Sequence, residues 1–222
     1  MENSNHFNVI VIGAGISGIG AGYYLKKNCP NKSFCIIEGR ENIGGTWDLF
    51  KYPGIRSDSD MFTLGYAFKP WKEQKTIANG PSILNYLEET VEENNLREKI
   101  KFSHKVLSAN WNSGSQKWEV RAAHHEQEIL LTANFLFMGT GYYNYDEGYT
   151  PDFNDLNKYE GKLIHPQKWP EDYDYTDKKM VVIGSGATAA TIIPELSKKA
   201  KHVTMLQRCL LYTSPSPRDQ LQ

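Results

Sequence analysis

A glycine-rich turn near the start of the chain has the spacing of a phosphate-binding turn. The run Gly13-Ala14-Gly15-Ile16-Ser17-Gly18 follows an apolar, β-branched segment and opens a helical pattern. In this context Gly13 permits a tight turn, Gly15 lets a pyrophosphate approach the backbone, and Gly18 allows the helix to pack closely on the strand. The free amides at the start of the helix would face the phosphates, and Ser17 lies among the binding candidates. The turn therefore predicts a dinucleotide, with an ordinary glycine turn as the alternative.

A carboxylate and a second glycine pair follow this turn. Glu38 lies about twenty residues beyond Gly18, at the end of the next apolar run, where a carboxylate can accept hydrogen bonds from both ribose hydroxyls. The alternative for Glu38 is a solvated loop acid. The run Gly44-Gly45-Thr46-Trp47 suits a backbone that passes close to a flat ligand, or else forms an ordinary turn. The predicted contacts from this run are Gly45, Thr46 and Trp47.

A second turn of the same kind occurs late in the chain, at Gly184-Ser185-Gly186-Ala187-Thr188-Ala189. The strand that follows it ends in Gln207-Arg208, where a carboxylate would favour NAD. A guanidinium can instead bind a 2′-phosphate, so Arg208 favours NADPH unless it is only a surface charge. The predicted binding residues are Gly184, Gly186, Ala187, Thr188, Ala189 and Arg208.

The elements that must position these turns form two strand–helix–strand patterns. The first comprises strands Asn8–Ile12 and Ser33–Glu38 around helix Ile16–Lys27; the second comprises strands Met180–Ile183 and Val203–Leu206 around helix Thr191–Lys199. Between them the patterns predict a helix at Pro81–Leu96, an antiparallel meander at Lys101–Asn110, Lys117–Ala123 and Glu128–Leu131, and a separate buried strand at Phe135–Met138. The predicted fold is α/β, with two Rossmann-like units, a small meander in the first and a truncated second unit.

Composition narrows the class of protein. With 222 residues, 40% of them hydrophobic and 23% charged, the chain is neither disordered nor fibrous. A net charge of −1 gives no reason to expect nucleic acid or an anionic membrane as partner. Cys29, Cys35 and Cys209 lack metal-ligand spacing, so we expect no metal site and a reducing cytoplasm. No segment approaches a membrane-spanning length.

Two further motifs complete a resemblance. Tyr52-Pro53-Gly54-Ile55-Arg56-Ser57-Asp58 follows the glycine pair, and Tyr159-x-Gly161-x-x-x-His165-x-x-x-Trp169-Pro170 lies between the two turns. With the turns and Gly-Gly-Thr-Trp, these motifs resemble the class B flavin-dependent monooxygenases, which include the Baeyer–Villiger and flavin-containing enzymes. The resemblance covers about Asn8 to Arg208 and is greatest to the ethionamide-activating type. Tyr159 departs from the usual Phe of the interdomain fingerprint.

The resemblance implies both cofactors and a reaction. FAD would bind the first unit and NADPH the second, and Asp58 would be a catalytic residue near the nicotinamide that helps set an active-site arginine. His165 would have a conformational role. NADPH would reduce FAD, and a C4a-(hydro)peroxyflavin formed with O2 would transfer one oxygen atom to a small organic substrate, either to a ketone or to sulfur or nitrogen. The sequence does not choose between these substrates and does not indicate an oligomeric state.

Two alternatives remain. A flavin- and NADPH-dependent disulfide reductase would need a redox-active cysteine pair close to the isoalloxazine, and Cys29 and Cys35 lie away from that position. The other alternative is a non-catalytic FAD-binding module. This alternative applies to the 222-residue chain because the family's members are much longer and their remaining parts would be missing.

The end of the sequence departs from the family pattern. The run from Cys209 to Asp219 resembles the translation of a sequencing-library adapter, so we expect that the natural reading frame was cut at or near Arg208 and reads through into adapter. The predicted division is the N-terminal part of an FAD-binding domain at 1–144, an interdomain connection at 145–178, the start of an NADP-binding domain at 179–208 and a non-native tail at 209–222. The family's active-site arginine would then lie outside this chain, which we expect to be inactive alone.

Overall fold

The computed structural model describes residues 5–207, which group into two compact units. One unit contains residues 5–49 and 60–147, and the other contains residues 50–59 and 148–207. Residues 50–59 thus pack with the second unit although they lie within the predicted first domain. The assignment of a cofactor to each part of the chain stays a prediction, and Arg208 and the expected non-native tail lie outside the described residues.

A mixed six-stranded sheet forms the centre of the first unit. In sheet order its strands are β3 (Ile100–Lys101), β2 (Phe34–Ile37), β1 (His6–Ile12), β6 (Gln127–Met138), β5 (Lys117–His124) and β4 (His104–Asn112). Strand β1 runs parallel to both β2 and β6, with Ile10 opposite Cys35 on one side and Leu136 on the other. Strands β4, β5 and β6 form the predicted antiparallel meander.

Four helices accompany the described part of this sheet: α1 (Ile16–Asn28), α2 (Thr46–Leu49), α3 (Met61–Leu64) and α4 (Gly80–Glu93). Helix α4 begins where the Asn79 side chain accepts a hydrogen bond from the backbone amide of Ser82, a polar N-terminal cap. Its buried residues Ile83, Leu87 and Val91 recur at helical spacing and face the core. The core on this side holds the first glycine turn against α1 and α4.

Strand β6 differs from the prediction. The segments Glu128–Leu131 and Phe135–Met138 are two parts of one strand, whose first part pairs with β5 and whose last part pairs with β1. The predicted burial of the last part is wrong, since Phe135 is 69% exposed and Met138 is 61% exposed. Successive side chains of a strand point to opposite faces: Leu136 packs against the core beneath the meander, whereas Met138, on the same face at the end of the strand, is exposed. On the other face Phe137 lines an open apolar groove beside α1.

The second unit contains the second strand–helix–strand pattern. Strand β7 (Lys179–Ile183) and strand β8 (His202–Leu206) pair in parallel, with α5 (Ala187–Leu196) between them in the chain. Helix α5 begins four residues before the predicted start, because the turn leads directly into it, and it ends before Lys199. The predicted α/β class with two Rossmann-like units is confirmed for the described residues.

Candidate dinucleotide-binding sites

The first turn is tightly enclosed by the ends of three strands. Gly13 has a φ of +97°, and its amide donates to the carbonyl of Ile37 at 2.7 Å. A β-carbon placed on Gly13 would lie 2.6 Å from the carbonyl oxygen of Gly139, which follows β6. Only glycine satisfies both this backbone conformation and this approach.

The two glycine runs of the first unit face each other. The Gly44 amide donates to the carbonyl of Ala14 at 2.9 Å, which ties the second run to the first. A β-carbon on Gly15 would lie 3.7 Å from the α-carbon of Gly45, so it would enter the narrow gap between the two runs. Helix α1 begins immediately after Gly15 and Ser17 is exposed in its first turn. The two runs therefore lie in close contact, and the amides at the start of α1 beside them are the groups that can face a phosphate.

Gly18 has the packing role that the sequence predicts. A β-carbon at this position would overlap the carbonyl oxygen of Gly13 and would lie 3.4 Å from a methyl group of Val11 on β1. The close packing of α1 on β1 therefore depends on the absence of a side chain at Gly18.

Glu38 is held at the end of β2 beside this turn. It is 6% exposed, so it is not a solvated loop acid. One carboxylate oxygen accepts from the Ala14 amide at 2.8 Å, and the other accepts from the Arg40 amide at 3.0 Å. Its own backbone is fixed by hydrogen bonds to Lys101 and His104. A carboxylate oxygen can accept more than one hydrogen bond, so Glu38 retains capacity for a ribose; that contact stays a prediction.

Three residues that sequence reasoning missed surround the glycine pair. The Arg40 guanidinium donates to the Gly45 carbonyl at 2.9 Å and forms an ion pair with Asp48 at 2.9 Å. The Tyr145 ring lies against this guanidinium, 5.5 Å from its central carbon. The Tyr145 hydroxyl lies 3.3 Å from the Thr46 hydroxyl. Arg40 and Asp48 lie within ten residues of Glu38, and this short spacing was the only signal in the sequence that they belong to the site. Tyr145 is distant in sequence and gave no such signal.

Trp47 is half-buried and packs against the hydrophobic core of the first unit. The indole therefore anchors the short helix α2 directly after the glycine pair. Its predicted contact with a flat ligand stays a prediction.

The second turn resembles the first in backbone but is more open. Gly184 has a φ of +118°, and its amide donates to the carbonyl of Leu206 at 2.9 Å. Apart from the two adjacent residues of the chain, no described residue has a heavy atom within 4 Å of a β-carbon placed on Gly184 or Gly186. Helix α5 begins at Ala187, directly after Gly186, and Ala189 is buried in its first turns. The turn therefore combines free helix amides with open space for a phosphate.

The segment containing Asp58 packs on this second unit. Tyr52 is buried, and its hydroxyl shares a hydrogen bond with Thr188 of the second turn. Burial raises the pKa of Tyr52, the bond to Thr188 opposes that rise, and the negative charge of Asp58 adds to it. A β-carbon on Gly54 would lie 3.0 Å from the carbonyl oxygen of Thr191 in α5. The structure therefore brings exposed Asp58 into the unit that carries the second turn.

The interdomain fingerprint lies in an irregular part of the same unit. The His165 ring accepts a hydrogen bond from the Gln167 amide at 3.2 Å and so caps the 3-10 turn Pro166–Lys168. Trp169 packs edge-on against Tyr173, with 5.9 Å between ring centroids. The His165 ring is thus bonded to the backbone of its own loop, and its conformational role stays a prediction.

The other fingerprint positions also make contacts within this loop. Tyr159 is 61% exposed, and its ring lies over Gly161, so a side chain at Gly161 would require this ring to move. The carbonyl of Pro170 accepts from the Tyr173 amide at 3.1 Å. These contacts give the loop a defined path without a reactive group.

Neither described cysteine is placed for disulfide chemistry. Cys35 is buried in β2, where burial raises the pKa of its thiol to about 12 against a smaller lowering by Lys101. Cys29 is half-buried at the end of α1, and both are free thiols. Within residues 5–207 no three His, Cys, Asp or Glu side chains are grouped to hold a metal ion. No helix in this part of the chain is long and apolar enough to cross a bilayer.

Comparison with known families defines the class. Residues 10–218 match the model of the pyridine nucleotide-disulphide oxidoreductase family, so the chain belongs to that family. The matched range includes residues 209–218 of the predicted non-native tail, whose origin stays a prediction.

Particular relatives are monooxygenases by name. The chain is 54% identical over 215 residues to the FAD-containing monooxygenase EthA of Mycolicibacterium smegmatis, covering 96% of this chain and 44% of that protein. It is 53% identical to the probable FAD-binding monooxygenase AlmA of Acinetobacter baylyi, with 96% and 43% covered. The chain thus spans less than half the length of these curated relatives. The predicted resemblance to flavin-dependent monooxygenases is confirmed.

Solved structures with the same fold are also similar in sequence to this chain. A steroid monooxygenase bound to NADP is 30% identical with a TM-score of 0.81, covering 95% of this chain and 40% of that one. OTEMO in complex with FAD and NADP is 30% identical with a TM-score of 0.78, covering 91% and 39%.

Proposed function

We propose that the chain is the cofactor-binding part of an FAD- and NADPH-dependent monooxygenase that inserts one oxygen atom of O2 into a ketone, or adds it to sulfur or nitrogen of a small organic substrate. The observation that carries the proposal is the pair of strand–turn–helix sites, the first with buried Glu38 beside its turn. The names of the relatives at 53–54% identity support it.

FAD would occupy the first site. The pyrophosphate would lie beside the close approach of Gly15 and Gly45, facing the first amides of α1, and the ribose hydroxyls would donate hydrogen bonds to the Glu38 carboxylate. Because neither glycine carries a side chain, a phosphate can approach the backbone here, and the residues present fit the cofactor. Bound FAD, once reduced, supplies the reactivity toward O2. The protein's contribution is to fix the cofactor through buried, hydrogen-bonded groups and to limit the access of water.

NADPH would occupy the second site. Gly184, Gly186 and the first residues of α5 would bind the pyrophosphate, and Arg208 would bind the 2′-phosphate. Asp58 is the candidate catalytic residue near the nicotinamide, a role favoured by its electrostatic coupling to Tyr52, which shares a hydrogen bond with Thr188. The solved relative bound to NADP supports this cofactor.

The family's description raises disulfide reduction as a second candidate, and the cysteines argue against it. A dithiol relay needs a thiol with accessible thiolate character next to the flavin. Cys35 is buried with a thiol pKa of about 12, and it lies within β2. Oxygen transfer is therefore favoured over disulfide reduction. The predicted cytoplasmic location and the expected lack of nucleic-acid partners stay predictions.

The test compares the complete gene product with the 222-residue chain. Both are incubated with NADPH and ¹⁸O2, with a cyclic ketone and a thioether as substrates, while NADPH oxidation, O2 uptake and product mass are followed. Substrate-dependent consumption with one ¹⁸O atom in the product would support the proposal. Flavin retention without turnover in the complete protein would instead identify a reductase or a binding module. For the 222-residue chain alone we expect flavin binding without substrate oxidation.

A further inference from the structure

We propose that Arg40 is a positioning residue that holds the Gly44-Gly45 run against the end of β2 and thereby sets the flavin side of the FAD site. The inference rests on the proposed function, because it assigns a role within the FAD site. It adds a residue that the glycine, acid and fingerprint motifs do not include.

The two directed contacts of the Arg40 guanidinium lead to the glycine pair and its continuation. One guanidinium nitrogen donates to the Gly45 carbonyl and another pairs with Asp48 in α2, each at 2.9 Å. The Arg40 side chain is 24% exposed and that of Asp48 is 14% exposed, so water screens this pair less than an ordinary surface pair. The face of the guanidinium lies on Tyr145, whose hydroxyl reaches Thr46.

A run of two glycines needs this outside support. Gly44 and Gly45 have φ values of +107° and +55°, and neither has a side chain that could pack and hold the backbone in place. Arg40 supplies a fixed planar group that can make two directed contacts at once, which the single ammonium of lysine reproduces poorly. Its remaining Nε is buried without a hydrogen-bond partner, 3.9 Å from Glu38, and so places positive charge beside that carboxylate.

The two sides of the cofactor depend on Arg40 differently. Glu38 is held by the backbone amides of Ala14 and Arg40, and these bonds do not require the Arg40 side chain. The Gly45 carbonyl and Asp48 do require it. Removal of the guanidinium should therefore loosen the flavin side of the site and leave the adenosine side nearly intact.

The test measures the dissociation constants of FAD and of ADP for the 222-residue chain and its variants by calorimetry. For Arg40→Met we expect FAD binding to weaken about tenfold and ADP binding to change less than about twofold, since one charge-assisted network is lost. Arg40→Lys keeps the charge and should weaken FAD binding about threefold. The matched control is Arg121→Met, which removes an exposed ion pair to Glu128 and should leave both constants unchanged.

The outcomes separate this inference from the proposed function. Equal loss of FAD and ADP binding in Arg40→Met would indicate general destabilisation and overturn the positioning role, as would unchanged FAD binding. If the Met variant does not fold, as judged by circular dichroism, the Lys variant carries the same FAD-against-ADP comparison. Failure of the unsubstituted chain to bind FAD would instead overturn the proposed function, and the inference with it. An Arg40→Met, Asp48→Asn double variant should bind FAD no more weakly than Arg40→Met alone.

Discussion

The substitution Glu38→Gln tests the most buried charged group of the first site. The carboxylate accepts from the Ala14 amide at 2.8 Å and from the Arg40 amide at 3.0 Å, and the residue is 6% exposed. Glutamine has nearly the same size but only one acceptor oxygen. Its amide nitrogen would face one of the two backbone N–H groups as a second donor, whichever way the side chain is turned.

The expected loss of stability follows from these two bonds. One buried N–H group would lose its acceptor, which costs about 1–3 kcal/mol. The other bond would survive but would no longer be assisted by charge, a further loss on the order of 1 kcal/mol. Together these effects should lower the free energy of unfolding by about 2–4 kcal/mol.

Urea unfolding followed by tryptophan fluorescence measures this change. The control is Glu128→Gln, which disturbs an ion pair with Arg121 whose two side chains are 55% and 50% exposed, so its effect should stay below about 1 kcal/mol. Equal midpoints for the two variants would refute the argument that the Glu38 carboxylate is a fixed part of the turn.

Two further predictions concern the same turn and the nearby thiols. Gly13→Ala should lower the free energy of unfolding by at least about 3 kcal/mol, because Gly13 has a φ of +97° and the new β-carbon would lie 2.6 Å from the Gly139 carbonyl oxygen. The control Gly39→Ala introduces only ordinary contacts and should change the free energy of unfolding little. Comparable urea midpoints for the two variants would contradict this prediction. Cys35 should resist iodoacetamide at pH 8 in the folded chain, because a thiol pKa of about 12 leaves a thiolate fraction near 10⁻⁴, as an estimate. Peptide mapping by mass spectrometry should show faster modification of half-buried Cys29, and equal rates would show that burial does not protect Cys35.

The two glycine turns could be predicted from sequence because the backbone geometry of each turn is determined by neighbouring residues. A short apolar run, spaced glycines and a helix former follow each other within a few residues, and the backbone demands of each turn exclude most other side chains. Gly13 and Gly184 accordingly adopt positive φ at the ends of β1 and β7. Glu38 could be predicted for the same reason, since β2 must return parallel to β1.

The form of strand β6 could not be predicted from its local pattern. The polar residues Thr132 and Asn134 interrupt the apolar run, which favoured two strands, but Thr132 pairs with His6 at the start of β1 and continues the ladder. Burial at Phe135 was inferred from apolar character alone. Apolar residues indicate a face that can be covered, and which parts of the chain cover it depends on tertiary packing.

The supports of the first site were missed because they join distant or unremarkable residues. Arg40 looks like a surface charge in sequence, and Tyr145 contacts Thr46 across 99 positions of the chain. Polar networks of this kind leave no periodic pattern, since each contact depends on the positions of separate elements. The sequence therefore predicted the positions of the two backbone turns and omitted the side chains that hold the first of them.

The position of the segment that contains Asp58 could not be predicted from sequence either. It follows the FAD-type glycine pair in sequence, yet residues 50–59 pack with the second unit. Buried Tyr52 bonds to Thr188, and Gly54 lies so close to Thr191 that a side chain would meet the backbone of α5. The conformation of Asp58 thus depends on a helix more than a hundred residues away. A catalytic role near the nicotinamide is consistent with that dependence, because the same helix N-terminus is the one proposed to bind NADPH.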